Sequence, residues 1–170
     1  MKGIDMNTKL LGLALACLAG LSAGGASAGV VVAYSHPENF QDMPFAQSDR
    51  ERVLKELTEH FEWLGKRLPA GQELRVEVLD FDMAGRMLPS IRGRQELRIV
   101  KDGADWPRME VRYELLSNGQ VIASGQDKLS DMNYIYSDRI NRYGDSDLLR
   151  YEKKMIDEWF TKKFVPAKPG

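Results

Sequence analysis

The sequence predicts an α+β fold in one domain: a mostly antiparallel β-sheet with an N-terminal and a C-terminal helix packed on it. Two segments, one early and one late in the chain, repeat apolar residues at helical spacing. The stretch between them alternates apolar and polar residues with period two. An Asn118-Gly119 pair separates two of the alternating runs, which marks a hairpin. Elements in the order strand, helix, several strands, helix bury their apolar faces most simply as helices lying on one sheet.

Val30-Val31-Val32 is a β-branched run and predicts a buried strand over residues 29–34, broken by His36-Pro37. Ser48 followed by Glu51 reads as a capping box, in which each side chain satisfies an orphan amide of the first turn. The helix it opens runs to Arg67 and stops before Pro69-Ala70-Gly71. At about 100° per residue, Val53, Leu54, Leu57, Phe61, Leu64 and Leu68 share one stripe, with Lys55, Glu59, Glu62 and Lys66 opposite. His60 falls at the edge of the stripe and Trp63 just beyond it. Leu74, Val76 and Val78 alternate as a half-buried strand. Residues 85–93 read as a basic loop, and Leu97 and Ile99 mark another strand. Met109, Val111, Tyr113 and Leu115 face one way on a longer strand, with Glu110, Arg112 and Glu114 facing the other.

A three-residue turn, Ser117-Asn118-Gly119, pairs Val121 with Leu115 and Ala123 with Tyr113. A two-residue Asn118-Gly119 turn would oppose Tyr113 with Ser124 instead. Residues 131–143 are polar and aromatic without clear period, either irregular or a short helix. Asp145 or Ser146 caps a final helix reaching Phe164, and residues 166–170 form a loose tail.

Residues 1–28 have the layout of a cleavable signal peptide: basic Lys2 and Lys9, an apolar run over 10–21, and an A-x-A site at Ala26-Ser27-Ala28. Met1 and Met6 both fit as starts. Lipidation at Cys17 fits less well, because the apolar run continues past it. That run is also too short to span a bilayer, which takes about 20 residues. Removing 28 of 170 residues leaves 142 and no cysteine, since Cys17 is the only one. A cysteine-free exported chain of this size needs no disulfide to hold its core, and the expected location is a bacterial periplasm. No second apolar segment offers a transmembrane anchor.

Composition excludes several functions. The 24 basic and 25 acidic residues nearly cancel, which leaves no electrostatic footprint for nucleic acid. Two histidines and a cysteine-free mature chain cannot build a Cys/His zinc site or run thiol chemistry. No G-x-S-x-G, H-E-x-x-H or P-loop occurs, so no metal or cofactor is expected. Paired carboxylates, as in glycoside hydrolysis, are the one common mechanism left open.

Three stretches then stand out: residues 76–85 (VEVLDFDMAG), residues 129–134 (LSDMNY), and residues 151–156 (YEKKMI) followed by Trp159-Phe160. Their order and spacing resemble a bacterial domain-of-unknown-function family, number 3016, over nearly all of the mature chain. The resemblance implies an exported protein of Gram-negative bacteria in one domain. It implies no activity.

Two constellations compete as sites. Asp80 and Asp82 follow a strand whose alternation would turn both inward, where unpaired carboxylates are costly. Either the strand ends or bulges at Leu79, with Arg86, Arg92 and Arg94 as neutralising neighbours, or the pair is functional. Glu152 falls inside the apolar stripe of the last helix, between Ile156 and Trp159. It is expected to join a buried ion pair or bond loop backbone, or else to act as a perturbed acid. The second constellation is Tyr134, Tyr136, Tyr143 and Tyr151 with Arg139, Arg142 and Arg150 interleaved. Tyr and Arg dominate binding hot spots, and the same tyrosines could equally pin a long loop with rings in and hydroxyls out. The sequence therefore predicts a non-catalytic binding or envelope accessory module. It would bind an envelope protein or a small periplasmic ligand through Tyr134, Tyr136, Arg139, Arg142, Tyr143 and Tyr151. The alternative is a carboxylate-dependent hydrolase of envelope glycans using Asp80, Asp82 and Glu152.

Overall fold

A computed structural model describes residues 28–89, 96–101, 105–136 and 141–165. Strand β1 (Gly29–Tyr34) leads through a 3-10 turn (Pro37–Asn39) into helix α1 (Gln47–Gly65). Strands β2 (Gln72–Asp82), β3 (Arg86–Leu88), β4 (Leu97–Ile99), β5 (Arg108–Ser117) and β6 (Gln120–Ser130) follow, and helix α2 (Arg150–Phe164) closes the fold. Four strands form a mixed sheet in the order β1-β2-β5-β6, and β3 with β4 forms a separate antiparallel pair. Strand β1 runs parallel to β2, with α1 as the crossover, while β2–β5 and β5–β6 are antiparallel.

Register places Val30, Leu74 and Leu115 in one row, Val32, Val76 and Tyr113 in the next, then Tyr34, Val78 and Val111. These rows line one face of the sheet. Val53, Leu57, Phe61 and Leu64 of α1 and Met155, Ile156, Phe160 and Phe164 of α2 pack against that face as one core. Each fully buried Leu or Phe there contributes about 1.5–3 kcal/mol. The opposite face is solvated and laced by ion pairs, among them Arg75–Glu73 at 2.7 Å and Arg112–Glu77 at 2.6 Å.

Several local expectations are corrected. Strand β1 is an edge strand covered on one face only, so Val30 is buried while Val31 is 53% exposed. Helix α1 opens at Gln47, and Ser48 caps nothing. The amides of Phe45 and Ala46 donate instead to Glu96 Oε2 and Oε1, both at 3.0 Å, so a carboxylate from the β3–β4 region serves the helix entrance. Helix α2 starts at Arg150, later than Asp145 or Ser146; Asp147 Oδ1 accepts the Leu149 amide just before it. Part of the expected basic loop is strand β3, whose three residues are too few for a period to register.

The hairpin turn contains two residues, not three. Asn118 and Gly119 take φ of 50° and 81°, and Ser117 pairs Gln120. The ladder then slips between Leu115 and Leu116, leaving Ile122 unpaired and setting Leu115 opposite Ala123 and Tyr113 opposite Gly125. A bulge thus restores the inward alternation that the tight turn would have inverted.

Gly65 shows how tightly α1 lies on β1. A Cβ there would stand 2.8 Å from both Val30 Cγ2 and the Val30 backbone nitrogen. Alanine favours a helix over glycine by about 1 kcal/mol. Overpacking against immobile backbone costs about 1–3 kcal/mol and outweighs it. Gly65→Ala is expected to lower the urea midpoint despite the better helix former; an unchanged or raised midpoint would show that α1 can shift freely.

Tyr34 fixes the other edge of α1. Its hydroxyl donates to Leu54 O at 2.9 Å and lies 2.9 Å from Thr58 Oγ1. Burial raises its pKa from 10.0 to about 12, only partly offset by the Thr58 hydrogen bond. A folded pKa above the unfolded one gives stability that is complete below pH 10 and lost as pH climbs through about 12. Tyr34→Phe should therefore flatten the alkaline fall of the melting temperature between pH 10 and 12; parallel curves for the two proteins would contradict this.

Candidate functional site

A cleft of about 490 Å³ beside helices α1 and α2 is lined by Glu56, Glu59, His60, Trp63, Arg142, Tyr143 and Lys153. Helix α1 supplies His60 and Trp63 three residues apart, so both emerge on one face with their rings stacked, centroids 5.8 Å apart. Helix α2 supplies Lys153 and Asp157, four apart. The segment before α2 brings Arg142 and Tyr143 across the opening.

Asp157 of α2 holds two of the lining residues in place. Its Oδ2 accepts the Tyr143 hydroxyl at 2.8 Å and pairs with Arg142 at 2.6 Å. Burial and the hydrogen bond to Asp157 push the Tyr143 hydroxyl pKa well above that of free tyrosine, so it stays protonated. Arg142 lies over the Trp63 ring at 4.6 Å and over the Tyr143 ring at 5.2 Å. His60 is 7% exposed. Its Nε2 is 3.0 Å from Asp157 Oδ1. The two atoms are misaligned for a hydrogen bond, and neither has another partner among the described residues. Lys153 is held by Asp147 at 2.8 Å and by Glu56 at 3.8 Å.

The residues expected from the sequence divide between this cleft and the interior. Arg142 and Tyr143 line the cleft. Tyr134 is 2% exposed and donates its hydroxyl to Lys101 O at 2.9 Å. Its ring meets Tyr151 edge-on at 4.9 Å, so these two face each other across the packing. Tyr136 is 71% exposed. Arg139, like Arg92 and Arg94, lies outside the described residues.

The three carboxylates differ in their surroundings. The strand bulges between Val78 and Asp80, which turns Phe81 inward and leaves Asp80 exposed. Asp82 is held by both the Nε and a terminal nitrogen of Arg108. Glu152 is fully buried; its Oε1 accepts the Ala84 amide at 2.8 Å and an Arg98 nitrogen at 2.5 Å. Among the described residues no three His, Cys, Asp or Glu side chains converge to hold a metal.

The family model for proteins of unknown function, DUF3016, matches residues 28–162. The chain belongs to the DUF3016 family. No curated protein matches it. Two solved structures are similar to this DUF3016 chain. One is the PelC dodecamer from Paraburkholderia phytofirmans, at 14% identity over 85% of this chain and 94% of that one, with a TM-score of 0.33. The other is the protein XCC0632 from Xanthomonas campestris, at 15% identity over 82% and 83%, with a TM-score of 0.34. Likeness at that level says nothing about assembly or ligand here. Among the described residues of this DUF3016 chain no helix is long and apolar enough to cross a membrane.

Sequence reasoning placed His60 at a stripe edge and Trp63 beyond it, but did not join them to Lys153 and Asp157. The available signal was two pairs of polar or amphipathic residues at i,i+3 and i,i+4 on the flanks of two apolar stripes. Such flanks meet when two helices lie side by side on one sheet.

Proposed function

We propose that this DUF3016 chain is an exported, non-catalytic binding module of the bacterial envelope, and that its binding surface is the cleft between α1 and α2. One observation carries this reading. The cleft brings together exposed Trp63 and Arg142 and half-buried Tyr143 beside a buried histidine nitrogen that lacks an aligned partner. Aromatic and arginine side chains around such a spot are the usual anchors of recognition. Two of the three carboxylates considered for hydrolysis, Asp82 and Glu152, are paired with arginines. The signal-like residues 1–28 support export, and β1 begins at Gly29, directly after the A-x-A site.

The reading is tested in the cells that make the protein. A photo-crosslinker at Arg142 is compared with one at Glu114 on the solvated sheet face. A discrete envelope adduct from position 142 and none from 114 is the expected result. Equal labelling at both, or none at 142, removes the cleft as a binding surface. Amino-terminal sequencing of the exported chain should begin at Gly29; a chain that stays in the cytoplasm at full length overturns the location.

A further inference from the structure

Arg142 and His60 share one carboxylate behind the cleft. Asp157 Oδ2 pairs with Arg142 at 2.6 Å and accepts the Tyr143 hydroxyl. Asp157 Oδ1 stands 3.0 Å from His60 Nε2, and neither of these two atoms has an aligned hydrogen-bond partner among the described residues. Imidazole is the side chain whose charge ordinarily changes between pH 5 and 8. A neutral His60 leaves the single negative charge of Asp157 to Arg142. A protonated His60 sets a second positive charge against the same carboxylate, where Lys153 already lies over the Tyr143 ring at 5.8 Å. Away from bulk water, like charges at such range repel far more strongly. The carboxylates nearby are engaged elsewhere. On α1, Glu56 is 3.8 Å from Lys153 and Glu59 is 3.7 Å from Lys55. Before α2, Asp147 holds Lys153 at 2.8 Å.

The two cations are not equally free to move. The His60 side chain is 5% exposed and its ring is stacked on Trp63, so it stays with α1. The Arg142 side chain is 50% exposed and lies outside any helix or strand, so its guanidinium can turn to water. Arg142 is also what covers the rings, over Trp63 at 4.6 Å and over Tyr143 at 5.2 Å. A charged imidazole against Trp63 competes for the same π system and weakens that hold as well.

We propose that protonation of His60 releases Arg142 from Asp157 and Trp63, so that the cleft bares its ring surface in mild acid and covers it near neutrality. The inference rests on the binding-module reading and adds its regulation: a histidine charge change biases one side chain between two positions.

The test follows the His60 ring, the Trp63 indole and the Arg142 Nε by nitrogen-15 NMR between pH 5 and 8, on the protein purified from the cells that make it. As His60 takes up its proton, the Trp63 and Arg142 signals should move with the same midpoint. In His60→Gln both should stay flat. Asp157→Asn removes the contested charge and serves should His60→Gln not fold; its Arg142 signal should sit at the acid position at every pH. The switch is overturned if His60 gains no proton in this range, or if it does while Trp63 and Arg142 stay still. Signals that titrate unchanged in either variant overturn it too. A photo-crosslinker at Glu59, on the cleft wall, separates the switch from the binding reading in envelope fractions held at about pH 5.5 and about pH 7.5. Several-fold more adduct in acid, lost in the His60→Gln background, ties the switch to binding. Equal adduct at both values overturns the switch as a control of binding and leaves the module standing. No adduct at either value removes the module, and the coupled titration alone then decides whether His60 moves Arg142.

Discussion

Glu152→Gln is expected to lower the free energy of unfolding by about 3–5 kcal/mol, the usual loss when one member of a buried ion pair is removed. For a domain of this size that is a fall in melting temperature on the order of 10 °C. Glu152 is fully buried and the Arg98 side chain is 9% exposed. Arg98 also donates to Ala84 O at 2.6 Å and to Leu148 O. One arginine thus joins β4, the turn after β2, and the residues entering α2. Removing the carboxylate charge leaves the guanidinium buried against neutral carbonyls only. The negative charge in the first turn of α2 is lost as well, where the helix dipole favours it. The double variant Arg98→Leu with Glu152→Leu should be less damaged than the two single losses added together, because no uncompensated charge remains. A Glu152→Gln protein melting within about 2 °C of the parent would show that the pair is not closed in solution.

The same residue shows how far the sequence could be read. Helical periodicity alone puts Glu152 inside an apolar stripe, so the need for a partner is legible. The partner is not, because Arg98 lies 54 residues away on a three-residue strand. Asp80 and Asp82 behave alike: the conflict between alternation and charge leaves a strand end or a bulge at Leu79 or a functional pair open, the ladder shows the bulge, and the partner of Asp82 comes from the strand opposite, at Arg108. Local pattern specifies α1, β2 and β5 because each repeats over ten or more residues. It misplaces both helix starts: at α1 the distant Glu96 takes the two amides ahead of the helix, and at α2 Asp147 takes the Leu149 amide. In the cleft, Arg142 and Tyr143 are legible as part of a Tyr/Arg cluster. His60, Trp63, Lys153 and Asp157 become a group only when two helices lie side by side, which no single-helix pattern encodes.

Gly85 tests the same junction from its backbone. Its φ is +77°, and a Cβ there would fall 2.3 Å from Ile99 O and 3.0 Å from Ile99 C. Both obstacles are backbone, so no rotamer relieves them. Gly85 also donates its amide to Asp105 O at 2.8 Å, which fixes its position from the other side. Gly85→Ala must therefore push β4 away, and β4 carries Arg98 next to Ile99. The expected cost is about 2–4 kcal/mol, combining left-handed strain with a displaced ion pair. Gly119→Ala separates the two contributions. Gly119 has φ of +81° but nothing within 4 Å of its added Cβ, so only the conformational cost of about 1–2 kcal/mol applies. In urea unfolding Gly85→Ala should lose clearly more than Gly119→Ala. It should also lose less when Glu152 and Arg98 are already both leucine, since the pair it would displace is gone. Equal losses at the two glycines would mean that β4 yields at no cost, and that Arg98 reaches Glu152 without being held in place by this turn.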